Sequence, residues 1–119
     1  MRQPLSKSFY HAFMGIVATI KKERNIKIHL GVMIGVIVCG IYFQVTKTEW
    51  LICMVLFGLV ISLELVNTAI EAVVDLASPD YHELAKLAKD GAAGAVLVSA
   101  IASAIIGLAI FIPHLLSKL

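Results

Sequence analysis

Charge is scarce in this chain of 119 residues: Asp, Glu, Lys and Arg make up 15% of it, against about 25% in soluble domains. Hydrophobic residues make up 60%. A chain this small cannot bury so much apolar surface, because small domains hide only part of what their unfolded chains expose. A soluble domain is therefore excluded, and lipid is the expected solvent. The length leaves room for one compact unit and no separate soluble module. Cysteine is limited to Cys39 and Cys53, both inside apolar runs and without zinc-type spacing, so they read as packing residues and not as a disulfide or a metal site. There is no Gly-x-x-x-x-Gly-Lys-Ser/Thr loop and no protein-kinase signature, so any nucleotide site must be built differently. No basic stripe interleaved with aromatics argues for nucleic acid. The first apolar run begins too late for a cleaved signal peptide, and no small-residue cleavage site follows it.

What remains is organised by apolar stretches. Leu5, Phe9, Phe13, Ile16, Val17 and Ile20 recur at helical spacing and predict an amphipathic helix over 5–22 that lies in the membrane interface. Residues 28–46 carry no Asp, Glu, Lys or Arg and predict a first span. Within it, Gly31, Gly35 and Gly40 should admit a neighbouring helix, while Tyr42, Phe43 and Trp50 suit an aromatic belt at the far interface. A second span is expected over about 50–76. Ser78-Pro79-Asp80 then reads as a break and a fresh helix start, with Ser78 as N-cap and Pro79 at the first helical position. A third span is expected over about 91–113, with a small-residue face of Gly91, Gly94, Ser99, Ser103 and Gly107. The expected fold is thus an all-α membrane protein with a surface helix, three transmembrane helices and a single domain over 1–119. Arg2, Lys7, Lys21, Lys22, Arg24 and Lys27 crowd the N-terminal segment, and Lys86 and Lys89 lie in the 77–90 connection. Only Lys47 and Lys118 fall on the opposite side. This bias predicts a multi-pass protein of the cell membrane with a cytoplasmic N-terminus.

The second span holds the feature that needs explaining. At about 100° per residue, Glu64, Asn67, Glu71 and Asp75 share an arc of roughly 80°. Ionisable groups inside a span are expensive and face protein or a wet cavity. Asp75 should lie near the cytoplasmic mouth, and Glu64 deepest, on the order of 16 Å away along the axis. A polar row that only holds helices together is the plainer alternative, but Asn or Ser would serve at lower electrostatic cost. A water-soluble ligand would meet Asp75 and Glu71 first; a lipid head group would meet Glu64, a carboxylate placed to act as general base. Lys89 and Asp90 should enter the membrane level with Glu71 or Asp75, beside His82 and Lys86. Read alone, Glu23 is a surface charge; paired with Glu71, it would supply oxygen ligands to Mg²⁺. His11, His29 and His114 stand apart and read as interfacial residues.

The blocks Glu64-Leu-Val-Asn67-Thr-Ala-Ile-Glu71-Ala-Val-Val-Asp75 and Tyr81-His82-Glu83-Leu-Ala-Lys86-Leu-Ala-Lys89-Asp90 resemble the bacterial integral-membrane diacylglycerol kinase family, which includes the undecaprenol kinases. The resemblance covers nearly the whole chain. It implies a homotrimer with active sites shared between subunits, transferring the γ-phosphate of ATP to a membrane lipid alcohol. By matching position, it implies that Glu64 is the general base at the lipid site and that Asn67 positions the reacting groups. Glu23 and Glu71 would hold Mg²⁺ beside the nucleotide. Lys89 and Asp90 would contact its phosphates, and Asp80, Tyr81 and His82 would lie alongside. The segment from Glu23 to His29 is most similar to the Gram-positive branch, which favours undecaprenol, although Lys27 replaces the usual Arg and His11 a frequent aromatic. Diacylglycerol is the alternative substrate. A small proton-coupled transporter with Glu64 and Glu71 as relay carboxylates is the competing reading from another class. The missing repeat symmetry and the charged His82–Asp90 cluster speak against it.

Overall fold

The computed structural model describes residues 4–119; Met1, Arg2 and Gln3 lie outside the described residues, and with Arg2 goes one member of the basic N-terminal group. Four helices follow one another: α1 (Leu5–Lys22), α2 (Arg24–Phe43), α3 (Lys47–Ala77) and α4 (Glu83–Lys118). The last three are long and apolar enough to cross a membrane. With 31 and 36 residues, α3 and α4 exceed the roughly 20 that a bilayer core needs, so their ends extend beyond it.

Helix α1 buries none of its residues, and Leu5, Phe9 and Phe13 are each more than three-fifths exposed. A single extended residue, Glu23 (φ −95°, ψ 123°), separates α1 from α2. The Lys27 ammonium donates to the Lys21 carbonyl at 3.2 Å across that corner.

The other end of α2 is closed by local chemistry. Gln44 takes the left-handed conformation (φ 53°, ψ 53°), and the Val45 N–H returns to the Gly40 carbonyl at 3.1 Å. This satisfies a carbonyl that the helix end would otherwise leave bare. Thr46 then opens α3 with a reciprocal cap. Its hydroxyl accepts from Glu49 N–H at 3.2 Å, and its own N–H donates to Glu49 Oε1 at 2.9 Å, so two orphan donors are satisfied at once. Gly40 lets Trp50 pack on α2: a Cβ there would sit 2.5 Å from the indole ring. Val45, Cys53 and Ile110 form a small core beside this turn, ringed by Phe43, Trp50, Phe57 and Phe111. Both cysteines are free.

One expectation is corrected. The fresh helix at Ser78 does not form. Pro79 disfavours helical geometry at the residue before it, and Ser78 ends α3 instead, its N–H on the Val74 carbonyl at 2.8 Å. Its hydroxyl donates to the Asp80 carbonyl at 2.9 Å, and residues 78–82 stay non-helical. His82 caps α4 in its place, Nδ1 accepting the Leu84 N–H at 3.0 Å. Of the glycines in the expected spans' packing faces, Gly40 alone meets a neighbour; a Cβ at Gly31, Gly35, Gly91, Gly94 or Gly107 would find nothing within 4 Å among the described residues.

Candidate functional site

The polar row on α3 is graded by burial in the order expected from depth. Glu64 is 2% exposed and Asn67 8%, Glu71 is half-buried, and the Asp75 side chain is 66% exposed. One adjacent pair is linked: Asn67 Nδ2 donates to Glu71 Oε1 at 3.3 Å. Two buried oxygens, Glu64 Oε2 and Asn67 Oδ1, lack a hydrogen-bond partner among the described residues. Unpartnered buried polar atoms are costly and rare; these two lie on successive turns of one helix face, and a third, Ser103 Oγ, lies on α4.

The 78–82 linker folds back so that the outer end of the row faces the start of α4. Lys89 donates to Asp75 Oδ1 at 2.8 Å, which fixes the expected level of Lys89 against the row. Lys86 pairs with Asp90 one turn along α4. Asp75, Asp80, Tyr81, His82, Lys86, Lys89 and Asp90 line one open hollow of about 400 Å³. Five of the residues expected beside a nucleotide (Asp80, Tyr81, His82, Lys89 and Asp90) are thus gathered there.

A second cavity has a different character. An apolar groove of about 720 Å³ runs between α2, α3 and α4, from Ile28 and His29 down to Phe43, Cys53 and Phe111. His29 belongs to its wall and also reaches Glu64, with Nε2 3.2 Å from Oε1. Reading His29 as an isolated interfacial residue therefore missed its partner. The sequence marks His29 itself, a titratable side chain in an otherwise charge-free run, but does not name its partner. His114 is likewise paired, with Glu49 Oε1 at 2.9 Å.

Glu23 stands half-buried at the α1–α2 corner. No three His, Cys, Asp or Glu side chains converge at metal-ligand spacing among the described residues, so the expected Glu23–Glu71 pair does not form part of such a cluster within one chain.

Comparison with known proteins sets this arrangement in context. Residues 10–111 match the family described as prokaryotic diacylglycerol kinase. The chain is 50% identical over 109 residues to the undecaprenol kinase of Bacillus subtilis, covering 92% of this chain and 89% of that protein. It is 42% identical over 111 residues to the diacylglycerol kinase of Synechocystis sp., covering 92% of this chain and 63% of the relative. With the diacylglycerol kinase of Escherichia coli (strain K12) it shares 49% identity over 47 residues, 40% of this chain and 38% of the relative.

Proposed function

The chain belongs to the prokaryotic diacylglycerol kinase family, and we propose that it phosphorylates undecaprenol with ATP as donor. The observation that carries this reading is the graded row: a buried carboxylate with one unpartnered oxygen, joined through His29 to the apolar groove, and at the other end an open hollow holding Lys86, Lys89 and three aspartates. The two ends suit the two substrates. An isoprenoid alcohol arrives through lipid and presents its hydroxyl to Glu64, while ATP arrives from water into the hollow holding Lys89. Glu64 is the general base. Asn67 positions the reacting groups, and Lys89 neutralises phosphate oxygens, with Asp90, Asp80, Tyr81 and His82 beside the nucleotide. Phosphoryl transfer asks mainly for positioning and charge neutralisation, which these side chains supply.

The family also implies Mg²⁺. The donor set fits a hard cation: Glu71 and Glu23 offer carboxylate oxygens, and Asn67 Oδ1, one turn from Glu71, is buried without a donor. Bound by Glu23 and Glu71, the ion would draw charge from the phosphate oxygens. A homotrimer with shared sites is supported by the unpartnered glycine faces and by a donor set left incomplete in one chain. The basic bias of the N-terminal segment and of Lys86 and Lys89 supports a cytoplasmic N-terminus, with α1 lying in the interface and the whole chain acting as one catalytic domain.

The test is a side-by-side assay of purified protein in lipid vesicles containing undecaprenol or a diacylglycerol, with Mg²⁺-ATP. ADP should appear together with lipid phosphate, only when an alcohol is present, and faster with undecaprenol. Faster turnover of diacylglycerol would move the substrate to the activity named for the Synechocystis relative. Proton-driven solute uptake without ADP release would replace the kinase reading with a transporter.

A further inference from the structure

Glu64 is the most deeply buried charged side chain described, and its two oxygens are in different situations. Oε1 lies 3.2 Å from His29 Nε2 across the α2–α3 interface, whereas Oε2 is buried and has no partner. A carboxylate held at neither oxygen turns about its last side-chain torsion, which is broad and roughly two-fold. A carboxylate held at one oxygen presents the other in a fixed direction. We propose that His29 is a positioning residue for the transfer: it donates from Nε2 to Glu64 Oε1 and so aims Oε2 at the hydroxyl of the lipid alcohol.

This inference rests on the kinase reading above, and it goes further by naming a residue on a second helix that the reaction requires. His29 also forms part of the groove wall, so the same ring touches the lipid's path and steadies the base at its end. In the step it supports, the lipid O–H bond breaks and its proton passes to Glu64 Oε2. The alcohol oxygen forms a bond to the γ-phosphorus, and the bond from that phosphorus to the bridging oxygen breaks, releasing ADP. His29 neither gains nor loses a proton in that step. Its contribution is orientation, and misplacing a catalytic group by about 1 Å can cost on the order of 10²-fold.

The experiment compares the parent with His29→Ala, His29→Leu and His29→Gln in undecaprenol vesicles, reading kcat, KM for ATP and Tm. Leu keeps the bulk in the groove wall without a donor, Ala removes both, and Gln keeps an amide donor at similar reach. Loss of the donor should lower kcat by about 10- to 100-fold in the Ala and Leu variants and leave KM for ATP within about twofold, since the nucleotide hollow lies at the other end of the row. Gln should recover most of that loss. The proposal is overturned if His29→Leu, folded as judged by Tm, keeps parental kcat. It is equally overturned if His29→Gln loses as much as His29→Leu. Failure of the kinase reading looks different, because the parent itself would then make no lipid phosphate from either alcohol.

Discussion

Two Glu–His pairs tie the bundle together, one at the start of α3 and one near its middle. At the turn between α2 and α3, Glu49 Oε1 accepts from the Thr46 N–H and meets His114 Nε2, both at 2.9 Å. Both side chains there are about a quarter exposed. Around them, Phe43 packs against Phe111 and His114, and Lys118 lies over the Tyr42 ring at 4.8 Å. At the other pair, Glu64 is almost wholly buried, yet only one of its oxygens is used. The same two residue types thus close one site and leave the other poised. A satisfied Glu–His contact at the edge of water adds little to stability. A buried carboxylate with an empty oxygen is a cost that stability does not explain, and function does.

The sharpest way to break the comparison is to neutralise the buried member. Glu64→Gln should lower undecaprenol turnover by about 10²- to 10⁴-fold, the range assigned to general-base catalysis. Its Tm in detergent should match or exceed that of the parent, because a charge leaves an apolar setting. A mutant that instead unfolded while its folded fraction kept turning over would make the buried pair a structural tie like its counterpart. A smaller effect is expected from the hollow. Lys89→Ala removes the cation now held by Asp75 at 2.8 Å and should raise KM for ATP by about tenfold or more, as a hydrogen bond to a charged group is lost. The kcat with saturating ATP should fall less, and nucleotide titrations would check that split.

These contrasts were unevenly legible in the sequence. The row on α3 could be read because its members share one helix, where a 3.6-residue period fixes their relative directions. The gathering of Asp80 to Asp90 could be read because these residues lie within three turns of one another. The partners of His29 and His114 could not, since both lie on other helices, 35 and 65 residues away in sequence. Periodicity orders the faces of a helix but does not say which helix each face meets. The α4 start was misread for a local reason: Ser-Pro-Asp is a general capping pattern, but here the chain stays non-helical through 78–82 and the helix opens at Glu83 behind the His82 cap. The small-residue face of α4 was legible as a face, but among the described residues its glycines meet no neighbour, which only an assembly of chains can resolve.

At the closed end the expected effects lie in stability and not in turnover. Gly40→Ala drives a methyl to 2.5 Å from the Trp50 ring; overpacking of this kind costs about 1–3 kcal/mol and should appear as a lower Tm with parental turnover per folded protein. His114→Leu is the mildest. It removes the contact to Glu49 Oε1, but Thr46 still donates to that oxygen and the capping box survives. Tm should fall by less than in Gly40→Ala, and turnover should stay within about twofold of the parent, as expected for a pair near the surface. If His114→Leu left Tm unchanged and cut turnover as deeply as His29→Leu, the closed end would be coupled to the transfer, and its pair would no longer be the inert counterpart of His29 and Glu64.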